Sequence, residues 1–97
     1  MAGYVYIIQS LKNGMYYIGS SKNPIKRLAE HNTGKVRATK NKGPWSLKFV
    51  QKYPTIRISR QIEYKIKKLK RRDYISRIIK DGFIKIKTKQ AGIGAVG

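Results

Sequence analysis

The residues of this chain best placed to do chemistry are two tyrosines, Tyr6 in Tyr4-Val5-Tyr6 and Tyr17 in Tyr17-Ile18-Gly19. Both segments consist of strand-forming residues, and side chains along a strand alternate between its two faces. If the segments pair as neighbouring strands, the two phenols and Gly19 share one face. A phenol beside a cation can have its pKa lowered and can relay a proton. The sequence therefore predicts a site with two phenols beside a glycine that leaves room for something to approach.

An Asn13-Gly14 pair between the segments predicts the turn that brings them together. Asn-Gly between alternating strand-formers favours a two-residue type I′ hairpin. In that register the predicted pairs are Lys12 with Met15, Ser10 with Tyr17, Ile8 with Gly19, and Tyr6 with Ser21. The opposite face is apolar enough to be core, with Val5, Ile7, Leu11, Tyr16 and Ile18.

The two segments at this spacing resemble the GIY-YIG motif of the GIY-YIG nuclease superfamily. The resemblance continues in order through Arg27, His31 and Glu63 and covers roughly residues 4 to 82. It is closest to the small stand-alone bacterial members, whose domain is similar to the N-terminal domain of the excinuclease C subunit. The chain departs from the family pattern in two ways. Tyr4 stands where the family has its first glycine, and no asparagine follows Asn41, whereas several homing and restriction members have an asparagine late in the domain.

The resemblance implies a metal-dependent DNA endonuclease that acts in DNA repair, recombination or processing. Tyr6 then corresponds to the tyrosine near the attacking water, and Tyr17 to the one that contacts the scissile phosphate or its water. Glu63 corresponds to the sole protein ligand of a divalent ion, Mg²⁺ or Mn²⁺. Hard Mg²⁺ tolerates one carboxylate because it keeps several waters. An ordinary i,i+4 ion pair with Lys67 is the alternative interpretation of Glu63.

Arg27 and His31 complete the set of catalytic candidates. They are four residues apart on a predicted helix, so they point to the same side. A guanidinium offers planar, charged donors to a phosphate, and histidine is the side chain that normally titrates near neutral pH. The resemblance is consistent with proton transfer or phosphate positioning by His31. A solvated Arg27 and a structural His31 are the alternatives.

The charge of the chain predicts a polyanionic partner. Its 97 residues carry 23 Lys and Arg against 4 Asp and Glu, a net charge of +19. We expect DNA, possibly branched or damaged, rather than RNA, and not a membrane surface, because the basic residues are spread along the chain. Branched, nicked, single-stranded and duplex DNA all stay open. The residues expected to contact phosphates are Lys40, Lys42, Lys65, Lys67, Lys68, Lys70, Arg71 and Arg72, unless this run is only a solvated helix face.

Composition narrows the class of protein further. The absence of cysteine excludes disulfides and thiolate metal sites, and a single histidine excludes a multi-histidine zinc site. No apolar run approaches the roughly 20 residues that span a bilayer, so a cytoplasmic protein is expected. A non-catalytic nucleic-acid-binding module that retains the same fold is the alternative to an enzyme.

The elements that must position these residues follow from local patterns. After the hairpin, Asn23-Pro24 predicts the start of a helix whose apolar stripe is Ile25, Leu28 and Ala29 and which ends near Gly34. Residues 35–44 are predicted to be a basic loop and 45–53 a third strand. The pattern of apolar residues predicts a helix over 56–69. A last helix capped by Asp73 is predicted to end at Gly82.

These elements predict one small domain of the α+β class, because 97 residues allow a single modest core. The order is ββαβαα: a three-stranded antiparallel sheet flanked by helices, as the GIY-YIG resemblance also implies. The domain is expected to occupy residues 1–82. Residues 83–97 are expected to form a basic, Gly-rich and poorly ordered tail.

Overall fold

The first strand lies at the centre of a three-stranded antiparallel sheet in the computed structural model, which describes residues 1–86. The strands are β1 (Gly3–Ser10), β2 (Tyr16–Ser21) and β3 (Trp45–Tyr53), in the order β2-β1-β3. Because β1 is central, its alternate side chains are buried on both faces of the sheet. The predicted α+β class and the order ββαβαα are confirmed.

Helices cover both faces of this sheet. Helix α1 (Pro24–Asn32) packs through Leu28 against the cluster of Tyr6, Ile8 and Trp45 on one face. Helices α2 (Ile56–Leu69) and α3 (Arg72–Asp81) pack on the other face, where the main core lies. That core contains Val5, Ile7, Ile18, Phe49, Ile62, Ile66, Ile78 and Ile84. Within residues 1–86, no helix combines the length and the apolar character needed to cross a bilayer.

Local capping fixes where the helices begin and end. The Asn23 side chain accepts a hydrogen bond from the Lys26 amide at the start of α1, as predicted. Gly82 caps the end of helix α3, and its φ of 83° suits glycine. The predicted cap at Asp73 is wrong, because α3 already begins at Arg72. The Asp73 carboxylate instead lies in the first turn and pairs with Arg71, with Nη2 and Oδ2 2.7 Å apart.

The hairpin register differs from the predicted one by two residues. Tyr6 pairs with Gly19 and Ile8 pairs with Tyr17, so the loop has four residues, 11–14, rather than two. The Ser10 hydroxyl accepts the Lys12 and Asn13 amides, and Gly14 closes the loop with a φ of 77°.

The shift places Gly19 opposite Tyr6 but leaves the face of each strand side chain unchanged. Because the shift is even, Tyr6, Tyr17 and Gly19 still share one face, as predicted. Leu11, however, lies in the loop and is 66% exposed instead of joining the core.

Three further segments differ from their predictions in detail. Ile25, expected in the apolar stripe of α1, is exposed, because it lies in the first turn and packs on neither cluster. The basic loop contains a short 3₁₀ turn, Arg37–Thr39. Ile84 is buried in the main core, beyond the boundary predicted at residue 82. That boundary stays a prediction, and residues 87–97 of the predicted tail lie outside the described residues.

Candidate active site

A buried hydrogen bond between Tyr6 and His31 joins β1 to α1. The Tyr6 hydroxyl lies 2.8 Å from His31 Nε2, and the two residues are 1% and 2% exposed. His31 Nδ1 lies 2.7 Å from the Thr39 hydroxyl, which donates its own proton to the Val36 carbonyl 3.4 Å away. His31 therefore donates from Nδ1 to Thr39, which leaves Nε2 as the acceptor for the Tyr6 hydroxyl.

Burial sets the protonation states of this pair. Desolvation, together with the positive charge of Arg27, lowers the pKa of His31 to about 4. Desolvation also raises the pKa of Tyr6 to about 12, although a hydrogen bond from Arg27 partly offsets it. At neutral pH the pair therefore consists of a neutral imidazole and a protonated phenol.

Gly19 makes room for Tyr6 rather than for a ligand, which corrects the prediction from the sequence. A β carbon on Gly19 would collide with the hydroxyl and the ring of Tyr6. The phenol thus lies across its β2 neighbour, at the position where any other residue would place a side chain. This close approach lets the hydroxyl reach His31 on α1.

Arg27 connects the buried pair to the surface. Its guanidinium bonds to the Tyr6 hydroxyl and to the Glu30 carboxylate, with Nη1 and Oε1 3.0 Å apart, and both contacts raise the pKa of Arg27. The Arg27 side chain is 41% exposed. It lines a groove of about 460 Å³ between the end of β2, the start of α1 and α2. The charged side chains of this groove are Lys22, Lys26, Arg27, Glu30 and Arg60, four cations to one carboxylate. An anion such as a phosphate fits this balance of charge.

Tyr17 is the more accessible of the two phenols, because it is only half-buried. Its ring meets His31 edge-on at a centroid distance of 5.0 Å and lies 6.4 Å from the ring of Trp45. The ammonium of Lys67 lies 4.9 Å from the centre of the ring. Tyr17 thus links the site residues of α1 to those of α2.

Glu63 reaches the site around the edge of the sheet. Helix α2 packs on the face opposite α1, but β2 is an edge strand, and Glu63 contacts Ser20 on it. Glu63 Oε1 accepts from the Ser20 hydroxyl at 2.5 Å, and Oε2 pairs with Lys67 Nζ at 2.8 Å. The five predicted residues therefore form one chain of contacts, in which Lys67, between Tyr17 and Glu63, is the link to Glu63.

Oxygen donors at Glu63 fit a hard divalent ion. Within residues 1–86 no three His, Cys, Asp or Glu side chains form a metal-binding group. The candidate ligand is the Glu63 carboxylate, with the Ser20 hydroxyl beside it. One carboxylate completed by waters and substrate oxygens suits Mg²⁺ or Mn²⁺. The ammonium of Lys67 pairs with the other carboxylate oxygen, Oε2, at 2.8 Å.

Three supporting residues were missed from the sequence. Ser20 directly follows Gly19, and a hydroxyl next to the tyrosine motif could have been predicted to bind another residue of the site, as it binds Glu63. Glu30, one turn before Gly34, could have been found as an i,i+3 partner of Arg27. The contact of Thr39 with His31 was not predicted, because it depends on how the loop folds.

The predicted phosphate-binding residues lie mostly at the surface. Seven of the eight are exposed, and Lys65 is half-buried. Two of them already have charged partners, Lys67 with Glu63 and Arg71 with Asp73. Lys68 and Arg72 lie over the rings of Tyr64 and Tyr16, at 6.0 and 4.7 Å from the ring centres. This arrangement forms a basic surface on α2 and the start of α3.

The ββαβαα order and the antiparallel sheet β2-β1-β3 are those of the GIY-YIG fold. The sequence profile of the GIY-YIG catalytic domain matches residues 2–76, and the chain belongs to this nuclease-type family.

Among known proteins, the chain is similar to small proteins named UPF0213. That of Bacillus licheniformis is 37% identical over 71 residues, which are 72% of each chain. That of Halalkalibacterium halodurans is 33% identical over 73 residues, 74% of this chain and 77% of the other. The solution NMR structure of the UPF0213 protein BH0048 from Bacillus halodurans superposes with a TM-score of 0.53 at 30% identity. It covers 84% of this chain and 87% of that one.

Proposed function

We propose that this protein is a divalent-metal-dependent endonuclease that hydrolyses phosphodiester bonds of DNA during repair, recombination or processing. The observation that carries the proposal is the buried bond between the Tyr6 hydroxyl and His31 Nε2, at 2.8 Å, with the Tyr6 hydroxyl also interacting with Arg27. A buried phenol, a neutral imidazole and a half-exposed guanidinium in contact with one another are more than packing requires. The nuclease-type family and the net charge of +19 support the same conclusion.

Arg27 and Tyr17 are the groups we assign to the scissile phosphate. The Arg27 guanidinium is exposed to the cationic groove and interacts with Glu30 and Tyr6. Its fixed charge stabilises the negative charge that builds up on the phosphorus oxygens as water attacks. Tyr17 is the phenol nearest the solvent and can donate a hydrogen bond to the same phosphate.

Tyr6 and His31 are assigned to positioning Arg27 and to moving a proton. Because Tyr6 is buried, a proton from the reacting water would have to reach its oxygen through a more exposed group of the site; the proton of Tyr6 can then pass to His31 Nε2. The low pKa of His31, about 4, favours the return of that proton, so the pair acts as a relay rather than a store.

Glu63 is the residue we assign to the metal. Mg²⁺ or Mn²⁺ bound there supplies Lewis-acid polarisation of a phosphate oxygen and lowers the pKa of a water. The hydrogen bond from Ser20 to Oε1 fixes the orientation of the carboxylate toward β2.

A non-catalytic DNA-binding module is the second candidate. One observation favours it: both Glu63 oxygens already have partners, Ser20 and Lys67, and the carboxylate charge is balanced without a metal. In that case the basic surface would bind DNA and the site would be purely structural.

A nicking assay separates the two candidates. Wild type, Glu63→Ala and Arg27→Ala are incubated with branched, nicked, single-stranded and duplex DNA, with Mg²⁺, Mn²⁺ or a chelator. We expect metal-dependent cleavage by wild type and none by Glu63→Ala, which should still bind DNA because it has lost a negative charge. Arg27→Ala should lose turnover and some affinity, whereas the control Arg71→Ala should lose only affinity. If wild type cuts none of these DNAs and Glu63→Ala binds them identically, the binding module is the better account.

A further inference from the structure

The ammonium of Lys67 lies between two groups of the proposed site. Its Nζ is 2.8 Å from Glu63 Oε2 and 4.9 Å from the centre of the Tyr17 ring. The Lys67 side chain is 44% exposed, whereas that of Glu63 is only 19% exposed. The carboxylate is therefore partly withdrawn from water, and its other oxygen is held by Ser20.

These contacts distinguish the pair from an ordinary ion pair on a solvated helix. In such a pair both side chains are exposed and mobile, and the interaction is worth little. Here the carboxylate is directed toward β2 by Ser20, and the lysine is further held by the Tyr17 ring. Lys67 thus places a positive charge at the position beside Tyr17 and Glu63 where a divalent ion would bind.

We propose that Lys67 is a resident cation that competes with the divalent metal for Glu63 and is displaced when DNA binds. The inference rests on the proposed function, because it takes Glu63 as the metal ligand. A metal cannot bind to Oε2 while the ammonium is there, and nearby like charges repel. Lysine has a long flexible stem and a point charge, so it can move from the carboxylate to a nearby phosphate.

Coupling between metal and DNA follows from this competition. A phosphate that draws Lys67 away from Glu63 frees an oxygen ligand and removes a repelling charge at the same time. DNA should therefore strengthen metal binding, and the metal should strengthen DNA binding by the same factor. Lys67 is on this view a positioning residue that restricts metal binding to the DNA complex.

The test measures Mn²⁺ binding to the protein alone, by the electron paramagnetic resonance signal of free Mn²⁺. We expect Lys67→Met to bind Mn²⁺ roughly 5- to 20-fold more tightly than wild type, because a charge about 5 Å away is removed. Lys67→Arg keeps the cation and should remain weak. The matched control is Lys68→Met, which removes the same charge from the same helix at a side chain over Tyr64. It should change the affinity at most about 2-fold, because salt screens more distant charges.

The outcomes separate this inference from the proposed function. If Lys67→Met binds Mn²⁺ no more tightly than Lys68→Met, or neither binds it measurably, the competition by Lys67 is refuted. The double variant Lys67→Met with Glu63→Gln should lose the tight site. If it retains that site, the metal is not on Glu63 and the metal site of the proposed function fails instead.

A second arm tests the coupling with a short DNA duplex, corrected for the Mn²⁺ that the duplex binds alone. Adding the duplex should tighten Mn²⁺ binding by wild type toward the value of Lys67→Met. The affinity of Lys67→Met itself should change much less, because its Glu63 is already free. Equal gains in the two proteins would overturn the role of Lys67 in the coupling.

Discussion

The Tyr6 hydroxyl is the atom on which the buried half of the site depends, because it contacts both His31 and Arg27. Tyr6→Phe keeps the ring but leaves His31 Nε2 buried without a donor, which should lower the free energy of unfolding by about 1–3 kcal/mol. Cleavage should fall with it, since Arg27 loses its support. Urea unfolding and the nicking assay measure the two effects. Tyr64→Phe, at an exposed ring, is the control, and equal stability of both variants would contradict this role.

His31 should give the protein a characteristic dependence of stability on pH. Its pKa is lowered from 6.5 to about 4 in the folded state, so the unfolded chain binds a proton more readily between these values. Stability is therefore retained above pH 6.5 and is lost as the pH falls, by about 2 kcal/mol at pH 5 and about 3 kcal/mol at pH 4.

Urea unfolding followed by circular dichroism between pH 7.5 and 4.5 measures this loss. His31 is the only histidine, and the pKa values of Glu30 and Asp73 are lowered. We therefore assign the loss of stability in the upper part of this pH range to His31. His31→Gln, which cannot titrate, should show a flatter profile. A wild type of constant stability from pH 7 to 5 would show that His31 is not buried as described.

At the scale of elements, the close approach of β1 and β2 at Gly19 determines whether Tyr6 reaches α1. Gly19→Ala would push a β carbon into Tyr6, and such overpacking destabilises by about 1–3 kcal/mol. The displaced phenol should also release His31, whose pKa, followed by NMR, should rise toward 6.5. Gly14→Ala is the control: it strains a positive φ in the loop by about 1 kcal/mol and should leave the pKa of His31 unchanged.

Local signals predicted the elements well and their contacts less well. The bounds of β3 and α2 follow from residues that cap or interrupt them, such as Pro54 and Thr55, and these act within a few positions. The hairpin register was missed because the hydroxyl of Ser10 stabilises a longer loop and also donates to the Lys42 carbonyl, a contact across 32 positions.

The site shows the same division between local and distant information. The faces of Tyr6 and Tyr17 and the shared side of Arg27 and His31 follow from the periods of strand and helix. That the Tyr6 phenol occupies the space at Gly19, and that Thr39 holds the other His31 nitrogen, depends on how separate elements pack. No pattern within one segment contains that information.

At the scale of the whole molecule, the net charge of +19 should dominate binding to DNA. For about five phosphate contacts, the logarithm of the affinity should fall with the logarithm of the salt concentration with a slope of roughly −4 to −5. Sequence should matter little, because contacts to phosphates position a protein without reading bases. Fluorescence anisotropy with labelled duplexes from about 50 to about 200 mM salt measures the slope. A nearly flat dependence would indicate a partner other than a polyanion.

The single tryptophan of the chain lies against this site. Trp45 is 5% exposed, its indole nitrogen donates to the Thr39 carbonyl at 3.3 Å, and its ring neighbours Tyr17. Thr39 in turn binds His31. The indole therefore contacts both the loop that holds the His31 imidazole and the ring of Tyr17, the more exposed phenol of the site. The intrinsic emission of this one chromophore is therefore an optical probe of the site, and the arrival of a metal or of DNA can be followed in real time without attaching a dye.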